Sequence, residues 1–335
     1  MSKSARFLPS LRARVRSHVA RVHILTLFAC FLSVACGSET DPPLVRSQAV
    51  ANAFANSEWS APENIGAPVN SPAAESNAAF SPDELAIYFT SNRPGTLGLT
   101  DIWVSERACL DCPWQSPVNL AVVNTAGSEA GPRLSIDGHL LFFQSDKPGG
   151  QGSFDIYVSR RSNPNDNFSW GEPIALGTGV NTPAVEQAAV YLQSAEDGQG
   201  NLYFNRGPAL AQGDIYYAAV TRDGETLGDA VFVPELTDPA AFDQHVTLRK
   251  DAREVFIAST RAGGFGGFDI WTSTRQSTSD PWSPIQNAGP PLSTTFNDMQ
   301  PSLTNDSRTM LFTSNRPEGL GANDLWVSRR TPNGK

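Results

Sequence analysis

The segment Ser135-Ile136-Asp137-Gly138-His139-Leu140-Leu141-Phe142-Phe143-Gln144-Ser145, followed by Asp155-Ile156-Tyr157-Val158-Ser159, decides the fold. Asp137-Gly138 is hairpin-turn chemistry, because glycine reaches positive φ without a Cβ clash. Leu140 to Gln144 is an apolar run of strand length. Pro148-Gly149-Gly150-Gln151-Gly152 forms a second turn before the Asp155 strand. Upstream, Glu129 to Ser135 leads into the first turn, and Trp170-Gly171-Glu172-Pro173 supplies a fourth strand. One unit is therefore four short antiparallel strands. Nothing after residue 35 shows sustained helical periodicity.

The unit recurs, which decides the architecture. Asp-Ile-aromatic or a near copy stands at Asp101-Ile102-Trp103, Asp155-Ile156-Tyr157, Asp214-Ile215-Tyr216, Asp269-Ile270-Trp271 and Asp324-Leu325-Trp326, in steps of 54, 59, 55 and 55 residues. A tryptophan followed closely by proline marks the fourth strand at Trp59, Trp114, Trp170 and Trp282, with Leu227 in the remaining slot. A turn acid (Asp83, Asp137, Asp197, Asp251, Asp306) leads each Asp-Ile aspartate by 17 or 18 residues. Three markers in phase over five cycles of four strands predict an all-β, five-bladed β-propeller. The last unit stops at Lys335 without a fourth strand, whereas Trp59 to Ile65 precedes any first strand. The N-terminal strand is therefore expected to pair with the C-terminal blade and close the ring, removing two exposed sheet edges.

These repeats resemble the TolB-type WD40-like propeller repeat, marked by Ser-Pro-Asp-Gly, an apolar strand, then Ser-Asn/Asp-Arg. Here the motif reads Ser81-Pro82-Asp83-Glu84 with Ser91-Asn92-Arg93, Ser135-Ile136-Asp137-Gly138 with Ser145-Asp146-Lys147, and Thr304-Asn305-Asp306-Ser307 with Ser314-Asn315-Arg316. The resemblance covers nearly all of residues 57–335. It weakens in the third unit (Ser194 to Gly207) and in the fourth, where Arg249-Lys250-Asp251 stands in the motif. It implies a periplasmic or surface-anchored module that binds or scaffolds.

The chain carries 25 Lys+Arg against 34 Asp+Glu. Six of those basic groups (Lys3, Arg6, Arg12, Arg14, Arg16, Arg21) precede an apolar run from Ile24 to Ala35, about half of what a spanning helix needs. That describes a secretory signal over 1–35. Leu32-Ser33-Val34-Ala35-Cys36 resembles a bacterial lipobox, although Ser33 stands where leucine is usual; ordinary cleavage near Ala35 is the other reading. The lipobox implies lipidation at Cys36, and Gly37 at the following position implies the outer membrane. Residues 36–56 read as a flexible tether. Without the first 35 residues the formal charge becomes −15. So acidic a surface excludes nucleic acid, and contact with a membrane is expected only through the lipid. A monomer is expected.

Candidate chemistry is sparse. Glu75, Glu129, Glu186, Asp243 and Asp298 open the five innermost strands, which line a propeller's channel. Converging at one mouth, they would shift one another's pKa values or recruit a hard cation such as Ca²⁺; no other cofactor is expected. The other reading is that each acid caps backbone N–H groups of a neighbouring blade. Asn77, Gln187, Gln244, His245, Met299 and Gln300 stand beside them and differ between units. The seven tryptophans occupy repeat slots, which favours packing between blades over a sugar-binding ladder. Cys109 and Cys112 are expected to form a local disulfide, since zinc needs four ligands. No Gly-x-Ser-x-Gly, His-Glu-x-x-His or phosphate-cradling loop occurs. The expectation is thus a non-catalytic propeller of the bacterial envelope, presenting its channel mouth to a protein or glycan partner. The alternative is a glycosidase-like enzyme that uses the five carboxylates.

Overall fold

A computed structural model describes residues 58–193, 200–210 and 212–332. The signal segment 1–35, the tether 36–56 and Cys36 lie outside the described residues, as does Asp197. Strand β1 (Glu63–Asn64) precedes five units. Blade 1 holds β2 (Glu75–Phe80), β3 (Ala86–Ser91), β4 (Asp101–Glu106) and β5 (Val118–Asn119). Blade 2 holds β6 (Glu129–Leu134), β7 (Leu140–Ser145), β8 (Asp155–Arg160) and β9 (Ile174–Ala175). Blade 3 holds β10 (Val185–Gln193), β11 (Gly200–Ala209), β12 (Gln212–Val220) and β13 (Val231–Phe232). Blade 4 holds β14 (Asp243–Leu248), β15 (Glu254–Ser259), β16 (Asp269–Thr274) and β17 (Gln286–Asn287). Blade 5 supplies only β18 (Asp298–Leu303), β19 (Thr309–Ser314) and β20 (Asp324–Arg329). Its fourth strand is β1, which pairs with β20 at Glu63–Val327 and Asn64–Trp326. The sequence places five blades and this closure correctly. The fourth strands are shorter than their markers suggest, with only two ladder residues each.

Strand β7 shows why the second strands read as unbroken apolar runs. Alternate side chains leave opposite faces of a strand. Leu140 and Phe142 pack with Leu202 and Phe204 of blade 3, whereas Leu141 and Phe143 pack with Tyr88 and Val104 of blade 1. The core is thus five wedges between neighbouring blades, and every tryptophan belongs to one of them.

A clasp the sequence reading overlooked fixes the outer strands. Arg107, Arg161, Arg275 and Arg330 stack on Trp114, Trp170, Trp282 and Trp59 at 4.2–4.6 Å. Each Nε donates to the carbonyl of a turn residue: Glu84 (2.9 Å), Gly138 (2.7 Å), Ala252 (2.7 Å) and Ser307 (2.8 Å). All four turn residues have positive φ, yet only one is glycine.

Candidate functional site

The five inner-strand acids are at most 1% exposed, and no three of them come together as a group that could hold a metal ion. Glu75 accepts hydrogen bonds from the Ser71 N–H (2.8 Å) and hydroxyl (2.6 Å), the Ser91 hydroxyl (2.9 Å) and Arg93 (2.9 Å). Asp298 has the same set, from the Thr294 N–H (2.7 Å) and hydroxyl (2.7 Å), Ser314 (2.7 Å) and Arg316 (2.5 Å). Glu186 takes the Thr182 N–H (2.9 Å) and hydroxyl (2.5 Å) with Arg206 (2.9 Å). Asp243 takes the Asp238 N–H (2.5 Å) and Arg261 (2.6 Å). Glu129 accepts from Thr125 (2.7 Å to N–H and to hydroxyl) and Ser145 (2.7 Å), while Lys147 turns instead over the Tyr157 ring at 4.4 Å.

Each acid therefore closes its own connection, and the expected carboxylate circle at a channel mouth is corrected to five separate clasps. The physical reason is desolvation: a buried carboxylate needs donors or a cation of its own. These acids have both within the blade, save Glu129, which has donors alone. No cluster of three or more metal-ligating His, Cys, Asp or Glu side chains occurs among the described residues. Cys109 and Cys112 are joined as a disulfide in the connection after β4.

Just beyond the acids, every inner strand carries a bulge, and the second residue after the acid takes positive φ: Asn77, Gly131, Ala188, His245 and Gln300, at 54–68°. Four of the freed N–H groups donate to the preceding blade: Asn77 to Thr313 (3.2 Å), Gly131 to Thr90 (3.1 Å), Ala188 to Gln144 (2.8 Å) and His245 to Asn205 (2.9 Å). The backbone is symmetric here; the side chains are not. Asn77 Oδ1, Arg133 Nε and His245 Nδ1 are buried without a hydrogen-bond partner among the described residues. Burial lowers the His245 pKa to about 3, with the Arg133 charge as the second cause, so the ring is neutral at ordinary pH.

At the opposite end of the inner strands, all five blades line one funnel with a cavity volume of about 90 Å³. Arg133, Thr247 and Ser302 contribute polar groups, and Glu84 is its one acidic residue among the described lining residues. Glu84 sits in the β2–β3 turn, half-buried at φ 59°. Burial raises its carboxyl pKa, and the charge of Asp306 in the neighbouring turn raises it further, against a smaller opposing effect of Arg107. A carboxyl so placed keeps its proton to higher pH than an ordinary glutamate. Sequence reading passed over Glu84 because it occupies a turn slot. The signal was its departure from the glycine that the motif calls for.

The fold is a five-bladed β-propeller shared with glycoside hydrolases. An α-L-arabinofuranosidase from Podospora anserina, solved with cellotriose, is similar at TM-score 0.51 and 11% identity, over 80% of this chain and 94% of that one. A GH43_1 enzyme from Xanthomonas citri, solved with xylotriose, is similar at TM-score 0.51 and 15% identity, over 86% and 93%. TolB from Acinetobacter baumannii is similar at TM-score 0.46 and 13% identity, over 78% of this chain and 55% of that one. No family model matches the sequence, and no curated protein matches it. The expectation of a non-catalytic scaffold is corrected by these neighbours, which are mostly glycoside hydrolases. That expectation rested on missing hydrolase motifs. Identities this low speak for the fold alone.

Proposed function

We propose that the chain is a carbohydrate-active, glycosidase-like propeller that works at the turn-face funnel. Glu84 is the proton donor and Asp306 the carboxylate that acts with it. Glycoside hydrolysis needs two carboxylates in unlike environments, one kept protonated and one ionised. The observation that carries the reading is Glu84, the carboxyl in the funnel lining whose proton is held by burial and by the Asp306 charge. Glu75, Glu129, Glu186, Asp243 and Asp298 are unsuited to that work, because they are at most 1% exposed and a glycan does not reach them. The fold shared with arabinofuranosidases supports arabinose- or xylose-containing glycans as the first substrates to try. An envelope location with a lipid at Cys36 and a TolB-like ancestry of the repeats belong to the same proposal, supported by the lipobox and the Ser-Pro-Asp motif.

The test is sugar release from arabinoxylan and aryl pentosides by the full chain, with Glu84→Gln and Asp306→Asn beside it. Release should drop about 10²- to 10⁴-fold on losing the acid. Activity should also decline as pH rises through the raised Glu84 pKa, since the donor must hold its proton. No release by the natural sequence, or equal release by Glu84→Gln, overturns the reading.

A further inference from the structure

Four residues after the acid of each inner strand stands Ala79, Arg133, Val190, Thr247 or Ser302, so one blade alone places a charge there. Arg133 is 7% exposed. Its Nη1 faces the carbonyls of Pro132 (2.9 Å), Asn77 (3.1 Å) and Ala78 (3.2 Å), which ties blade 2 to blade 1. No carboxylate pairs with it among the described residues, and burial alone lowers its pKa, to about 10. The guanidinium therefore stays charged at neutral pH. Burying an unpaired cation is costly, and removing one partner from a buried pair typically costs several kcal/mol. Arg93, Arg206, Arg261 and Arg316 of blades 1, 3, 4 and 5 each meet a buried acid at 2.5–2.9 Å. Arg133 meets none, and its hydrogen bonds go to backbone carbonyls alone.

The exception has a shape. Carbonyls gather on Nη1, whereas Nε is buried without an acceptor. The Nε–Nη2 edge is one of the two edges through which guanidinium takes a carboxylate with paired hydrogen bonds. Arg133 lines the 90 Å³ funnel, room for several waters or a carboxylate group. His245 Nδ1 brings a second buried polar atom without a partner among the described residues, from blade 4. A neutral imidazole can carry its proton on Nδ1, which makes it a donor toward an anion.

We propose that this waist of the channel is an anion site in which Arg133 takes the carboxylate of an acidic ligand, with His245 as second donor. Under the glycan reading above, on which this part rests, the carboxylate is that of a uronic acid unit. The site itself stands without that reading, because binding is measurable in the absence of turnover.

The test is calorimetric titration of the full chain with sodium glucuronate, sodium acetate and glucose at one ionic strength, repeated with Arg133→Met and Arg133→Lys. Saturable binding of glucuronate and not of glucose is expected, weakened at least tenfold in Arg133→Met and partly kept by Arg133→Lys. Binding of acetate but not glucuronate supports the site and makes small free carboxylates its ligands. Equal response to glucuronate and glucose, or binding unchanged in Arg133→Met, overturns the proposal. Should Arg133→Met fail to fold, the natural chain still decides: glucuronate affinity must fall as chloride rises, and constant affinity counts against the site. Turnover without anion binding would sink this inference alone; anion binding without turnover would sink the hydrolase reading alone.

Discussion

The two ends of the inner strands obey opposite rules. At the starting end, blades 1, 3, 4 and 5 repeat one chemistry, an acid clasped by its own arginine and by a backbone N–H of the chain leading into the strand. At the turn end and the waist, the five blades present unlike side chains, and Arg133 Nε and His245 Nδ1 are left without partners among the described residues. Repetition marks groups that hold a blade together, because each blade must solve the same desolvation problem. Departure from repetition marks groups that the repeat itself does not call for, and these are where a ligand can act.

The largest expected effect lies at the repeated end. Asp298→Asn leaves Arg316 buried beside a neutral amide and should cost about 3–5 kcal/mol in chemical denaturation. Blade 2 sharpens the point, because Glu129 has no arginine partner. Glu129→Gln removes hydrogen bonds only and should cost about 1–3 kcal/mol. Equal losses in the two variants would show that the arginine contributes nothing to the clasp.

A smaller effect belongs to the waist. The unfolded chain protonates His245 near pH 6.5, while the folded chain refuses the proton until about pH 3. The stability due to the neutral ring is therefore complete above pH 6.5 and is lost as pH falls through that window, by up to about 1.4 kcal/mol per pH unit. His245→Asn keeps a residue tolerant of the positive φ and should flatten the difference between pH 6.5 and 5, above most carboxylate titrations. A parallel pH dependence in both proteins would mean that the ring is solvated.

Much of this was legible from residues. The repeats and the missing last strand specify five blades and their closure, because sheet edges must be paired. The location of the acids was legible as well, and so was N–H capping as one reading of them; that the capped group lies in the acid's own connection was not, although Ser71, Thr125, Thr182 and Thr294 each stand four residues ahead of an acid. That spacing is what lets a hydroxyl and its N–H reach back to one carboxylate. The arginines stacked on tryptophan were equally in phase and were overlooked. The inner-strand bulges were hidden, since positive φ falls on Asn77, Ala188, His245 and Gln300 and on only one glycine. Arg133 shows in the sequence as a lone charge in its column, but its missing counter-charge is a fact of three-dimensional packing.

The most direct test of the contrast between the two ends is a crystal structure of the protein soaked with a xylo-oligosaccharide bearing a glucuronic acid branch. The account expects the sugar in the turn-face funnel, with its carboxylate on the Arg133 Nε edge and a glycosidic oxygen near Glu84. Sugar bound instead against the Ser71, Thr125, Thr182 or Thr294 connections, with the funnel left to solvent, would contradict it.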